Sequence, residues 1–149
     1  MIFIESQLKS KSVSMPLIER TAQIALTDQA IEGDLTIVLT DDARLQEFNR
    51  DYLGIDAPTD VLSFPASETD PETGAHYLGD ILISVPRAEV QAQSAGHPLE
   101  SEVQLLVVHG VLHLLGYDHA EAKEKTKMWK AQAEVLERLG LSGIEIQES

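Results

Sequence analysis

The sequence predicts an α+β fold, a single domain in which a small sheet of about four strands is packed with about five helices. Three observations predict it. A chain of 149 residues with no cysteine, repeat, low-complexity block or Pro/Gly/Ser linker is long enough to bury one core and offers no place to divide it. Short apolar runs rich in Ile, Leu, Val and Thr alternate with longer amphipathic stretches. Prolines open several of those stretches and glycines close them, the asymmetry expected of helix ends.

The elements follow in the order β-α-β-α-β-β-α-α-α. Ile2 to Glu5 is a short apolar strand, and Pro16 to Asp28 an amphipathic helix with Leu17, Thr21, Ile24 and Ala25 as its inner face. Leu35, Ile37 and Leu39 alternate with Thr36, Val38 and Thr40 in a second strand. Thr40-Asp41-Asp42 caps a helix carrying Leu45, Phe48, Asn49 and Tyr52. After a turn over Gly54 to Thr59, Val61 to Phe64 reads as a buried strand. Pro71, Gly74 and Gly79 break the stretch from Pro65 to Gly79, which reads as a loop, and Asp80 to Ser84 is the next strand. Pro86 suits the first turn of a helix ending by Gly96, and Pro98 that of a longer one running to Leu115. Gly116 stops it. A last helix from about Ala120 to Leu139 buries Trp129, Ala133, Leu136 and Leu139 and ends at Gly140.

The formal charge of -14 opposes general attraction to nucleic acid, so any such contact must be local. Lys123, Lys125, Lys127 and Lys130 are the basic concentration, and Lys123, Lys127 and Lys130 share one helix face. They form either a solvated face paired with Glu121 and Glu124 or a stripe facing RNA. The start, Met1-Ile2-Phe3-Ile4-Glu5, has neither the basic nor the long apolar region of a secretory signal, and a cytoplasmic protein is expected. Leu105 to Leu115 is about half the ~20 residues needed to span a bilayer, so no membrane association is expected.

Without cysteine, a transition-metal site must be built from His, Asp or Glu. His109 and His113, four apart on the central helix, project one turn apart from the same face, close enough to share one ion. Gly116 can take the left-handed conformation that turns the chain back, so His119 can return as a third ligand. Three nitrogens and an open position make a catalytic rather than a closed structural zinc site. As core histidines each would instead need its own buried partner. Nickel or copper would suit the same donors, and metal binding should weaken as pH falls through about 6.5. His76 and His97 read as ordinary surface residues. The segment matches the zinc-protease pattern H-E-x-x-H-x-x-G-x-x-H except that Gly110 stands where the glutamate base belongs, which argues against peptide hydrolysis.

Together with Pro58-Thr59-Asp60-Val61-Leu62-Ser63-Phe64-Pro65 and Leu78-Gly79-Asp80-Ile81, this segment resembles the YbeY family of bacterial endoribonucleases and rRNA maturation factors, from about Asn49 to Leu139. The resemblance implies a zinc-dependent nuclease, one ion per chain, acting on single-stranded RNA. It also implies the 16S rRNA 3′ end as substrate, the small ribosomal subunit as partner, and a part in ribosome quality control. Asp60 and Asp118 are candidates for orienting a ligand imidazole or a water, and Asp80 reads as structural. The family usually carries an arginine where this chain has Leu53, and Arg50, three residues earlier on the helix, is the candidate to meet the phosphate charge instead. The competing readings are a peptidase of altered mechanism and a ribosome-associated binding module whose metal only stabilises the fold.

Overall fold

The computed structural model describes residues 1–8, 13–118, 120–141 and 143–144. Its elements run β1 (Ile2–Ser6), α1 (Met15–Asp28), β2 (Asp34–Thr40), α2 (Asp42–Leu53), β3 (Val61–Thr69), β4 (His76–Ser84), α3 (Val85–Ala95), α4 (Leu99–Leu114) and α5 (Ala122–Arg138). The four strands form one sheet in the order β1-β2-β4-β3, parallel except for the antiparallel β3–β4 pair. The element order and the α+β class expected from the sequence are therefore those of the molecule.

The alternation of side chains along the strands divides the helices between two faces. Leu35, Ile37, Leu39, Ile81 and Ile83 point to one side and join the main core with α1, α3, α4 and α5. Leu62 and Leu82 point to the other and meet Leu45 of α2, with Val38, Phe48 and Phe64 beside them. Helix α4 lies at the centre, with residues from Glu102 through Leu112 buried all round. A helix apolar on every side is a core helix, which is why no polar stripe shows in its sequence.

Local chemistry explains the boundaries. Ser14, Asp41 and Ser84 cap α1, α2 and α3 by accepting from backbone N–H groups of the first turn. Pro98 stands at the N-cap of α4, one position before the first turn in which it was expected.

Three expectations need correcting. The stretch from Pro65 to Gly79 is a β-hairpin rather than a loop, because β3 is the edge of the sheet and an edge strand tolerates Pro65. A register irregularity between Pro65 and Glu68 absorbs the disturbance, and a turn closed by Asp70 N–H donating to the Ala75 carbonyl at 2.8 Å joins the strands. The buried face of α1 centres on Ile18, Ala22, Ala25 and Leu26, with Leu17 and Ile24 half-buried at its border. In α5 the buried set is Met128, Ala131, Gln132, Val135 and Leu136, while Ala133 is exposed and Trp129 and Leu139 are half-buried.

Candidate metal centre

The candidate centre lies on the C-terminal half of α4. His109 is 5% exposed and His113 half-buried, and their Nε2 atoms face each other at 3.1 Å. The ring planes are inclined by 76° with centroids 4.7 Å apart, so the two nitrogens converge while the rings do not stack. Behind His109, Nδ1 lies 3.1 Å from Oε1 of Gln132 on α5. The Trp129 ring stands edge-on to His109 at 5.8 Å, and the Lys125 ammonium lies 5.7 Å above the indole.

The helix ends where the chain must turn back. Gly116 has φ 99°, a conformation that suits glycine, and its N–H donates to the His113 carbonyl at 3.1 Å. Tyr117 N–H then reaches the Leu112 carbonyl at 3.0 Å and its hydroxyl donates to Gln29 Oε1 at 2.7 Å, pinning the turn to α1. Asp118 is exposed just after this turn. His119 lies outside the described residues.

The residue between the two histidines' turns faces the sheet. A Cβ on Gly110 would stand 2.8 Å from Ile81 Cγ2, and the Gly110 carbonyl accepts from Ser63 Oγ at 3.2 Å. Glycine here lets α4 approach β4, so a glutamate at this position is sterically excluded.

The carboxylates and cations singled out from the sequence are spread more widely. Burial pushes the Asp60 carboxyl above the usual carboxylate range, against the pull of hydrogen bonds from Gln91 and from the Val61 and Asp60 N–H groups. Asp60 thus ties β3 to α3 and stands with Arg87, which is itself paired with Asp42 at 2.7 and 3.0 Å. Arg50 is exposed and its Nε donates to Asp51 at 3.0 Å. Leu53 is 55% exposed on the same helix, which packs on the sheet face opposite α4. The structure therefore brings His109 and His113 together and leaves Asp60 and Arg50 with partners of their own.

Sequence reasoning missed four features. Gln132, 23 residues from His109 in the chain, carries no local signal of its partner. Gly110 departs from a protease pattern in sequence, and its close approach to Ile81 is visible in three dimensions alone. His97 is no surface residue: its Nε2 pairs at 2.7 Å with Glu102 Oε1, and the Glu102 side chain is 1% exposed. Burial raises the Glu102 pKa and His97 opposes the rise, while Glu102 Oε2 has no hydrogen-bond partner among the described residues. The fourth is a groove of about 500 Å³ on the α2 face, where Phe48, Tyr52 and Phe64 stand near Asp80. Asp80 there accepts from the Tyr77 hydroxyl, which also contacts Thr36 Oγ1 at 2.7 Å.

Comparison with known proteins now bears on this geometry. The family model for Endoribonuclease YbeY matches residues 4–140. The chain belongs to the YbeY family. Among its YbeY relatives, the protein of Desulfitobacterium hafniense is 47% identical over 124 residues, 79% of each chain. That of Syntrophotalea carbinolica is 40% identical over 144 residues, 93% of this chain and 95% of the relative; both bear the name Endoribonuclease YbeY. The solution structure of TM1509 from Thermotoga maritima superimposes with a TM-score of 0.59 at 27% identity, covering 94% of this chain and 92% of that one. Among the described residues, no helix of this YbeY-family chain is long and apolar enough to cross a membrane.

Proposed function

We propose that the chain is a zinc-dependent endoribonuclease acting on single-stranded RNA, with one ion per chain held by His109, His113 and His119. Membership of the YbeY family supports the endoribonuclease, and with it maturation of the 16S rRNA 3′ end and ribosome quality control on the small subunit, in the cytoplasm. The observation that carries the metal is the convergence of the two Nε2 atoms at 3.1 Å. Tetrahedral zinc with bonds of about 2.0–2.1 Å sets its nitrogens about 3.3 Å apart, so the donor pair fits it with little movement.

Zinc would supply Lewis acidity toward a phosphodiester oxygen and make a nearby water easier to deprotonate. The chain's own residues do the rest. His109 and His113 present lone pairs from a helix buried on every side, which fixes their separation. Gly110 offers no carboxylate and has no room for one, so the protease route to proton removal is closed. Asp118, next to His119 in the chain, is the carboxylate we assign to proton transfer. Lys123, Lys127 and Lys130 are exposed on α5, the helix that carries Trp129 and Gln132 against His109, and supply a local basic strip on an acidic protein.

Purified wild type is expected to carry about one zinc per chain and to cut labelled single-stranded RNA, with cleavage lost in His113→Ala. Equal, low metal content in wild type and in the variant with all three histidines changed to alanine would overturn the assignment. Leu53→Arg is expected to raise single-turnover cleavage only modestly, and less at high salt than at low salt, because a cation at this exposed position, on the sheet face opposite α4, acts through screened solvent. Arg50→Ala in parallel shows whether Arg50, held by Asp51, carries that role; equal rates in all three proteins would remove this helix from the account of catalysis.

A further inference from the structure

We propose that Gln132 sets the tautomer and orientation of His109, so that the Nε2 lone pair of that ring is held toward His113. The inference rests on the metal reading above and assigns the residue that prepares the ligand for it.

Helix α5 holds an anomaly. The inner face of this helix is Met128, Ala131, Val135 and Leu136, and a 4% exposed amide sits among them. A buried amide needs partners, and Gln132 Oε1 meets Nδ1 of His109 at 3.1 Å. A carbonyl oxygen accepts and cannot donate, so the proton of the neutral imidazole belongs on Nδ1. Nε2 is then left with a lone pair, and it faces Nε2 of His113 at 3.1 Å. The opposite tautomer would set a lone pair on Nδ1 against the Gln132 oxygen in a space closed to water. The Trp129 ring against the same imidazole restricts its rotation. A neutral acceptor in this place fixes the ring without burying another charge. Such partners behind a ligating imidazole typically affect metal affinity 10–100-fold, roughly the range expected here.

The test uses the full chain. In the metal-free wild type at about pH 8, above the ordinary imidazole pKa of ~6.5, nitrogen NMR of labelled histidines should show His109 protonated on Nδ1 with a bare Nε2. Gln132→Leu should abolish that preference and weaken zinc binding about tenfold or more, read by competition with a chromophoric chelator. Gln132→Glu, which keeps an acceptor, should restore both. A Gln132→Leu protein with the wild-type ring spectrum and wild-type zinc affinity would overturn the proposal, as would a Gln132→Glu protein that behaves like Gln132→Leu. If the wild type takes up no zinc, the metal reading fails by itself, and the ring spectra still decide the role of Gln132.

Discussion

Gly110→Glu is expected to prevent folding, and Gly110→Ala to lower stability by about 1–3 kcal/mol. The added Cβ would stand 2.8 Å from Ile81 Cγ2 and 3.2 Å from its Cδ1, and Ile81 is fully buried. A β-branched side chain packed in a sheet face has little rotamer freedom, so either Ile81 or the helix must shift. Glutamate adds an unpaired charge in the same dry layer, a further cost of several kcal/mol against a total stability of about 5–15 kcal/mol. Urea unfolding followed by circular dichroism would measure both variants. A Gly110→Ala midpoint equal to that of the wild type would show that the close approach of α4 to β4 is not a constraint. This histidine pattern does not carry the glutamate of zinc proteases because that position belongs to the core.

The second large effect concerns the buried pair at the start of α4. His97→Leu is expected to cost about 3 kcal/mol near neutral pH and much less near pH 4, because it leaves a buried carboxylate unpaired. Burial already raises the Glu102 pKa above its ordinary 4.5, with His97 the opposing influence and Asp60 a smaller push upward. A carboxyl whose pKa is raised in the folded protein contributes stability that is complete below its unfolded pKa. That contribution is lost as pH rises through the folded value. Removing His97 raises the folded value further, so the gap between variant and wild type should open as pH rises through the wild-type folded value, which lies above 4.5. Glu102→Gln, which still offers His97 an acceptor, should lack the fall. Unfolding free energies across that range decide the matter, and a gap of constant size would mean that lost packing, not the carboxylate, is what the variant suffers. Asp42 and Arg87 form their own pair and are common to all three proteins.

What could be read from the sequence was what depends on neighbours along the chain. The alternation of Leu35, Ile37 and Leu39 marked a half-buried strand, and Pro86, Gly96 and Gly116 marked helix ends, because backbone geometry forces those residue types there. The spacing of His109 and His113 likewise carried its geometry, since residues four apart on a helix must share a face. Harder to read was whatever tertiary packing decides. Leu17 and Ile24 are as apolar as Ile18 and Leu26, so periodicity alone could not fix the rotation of α1 about its axis. Pro65 suggests a break unless the strand is known to be an edge. His97 and Gln132 are ordinary polar residues in sequence, and only the partners folded against them give them a role.

The mixed topology of the sheet also sets an order of events in assembly. The β3–β4 hairpin is a local pairing, closed by the turn between Thr69 and His76, and α3 follows β4 directly. Pairing of β1 with β2 matches Ile2 to Leu35, and pairing of β2 with β4 matches Thr36 to Asp80, so each must close a long stretch of chain before it gains anything. Closing such loops costs entropy early and is repaid late, which favours local structure first. Gly110 seats α4 on Ile81, and Ser63 holds it from β3, so the helix bearing the histidines docks onto the part of the sheet that can form first. The N-terminal strands then join an edge that already exists. The pair of imidazoles, four apart on α4, comes with the helix itself, and that helix seats on the hairpin through contacts that close stretches as long as those of the N-terminal strands.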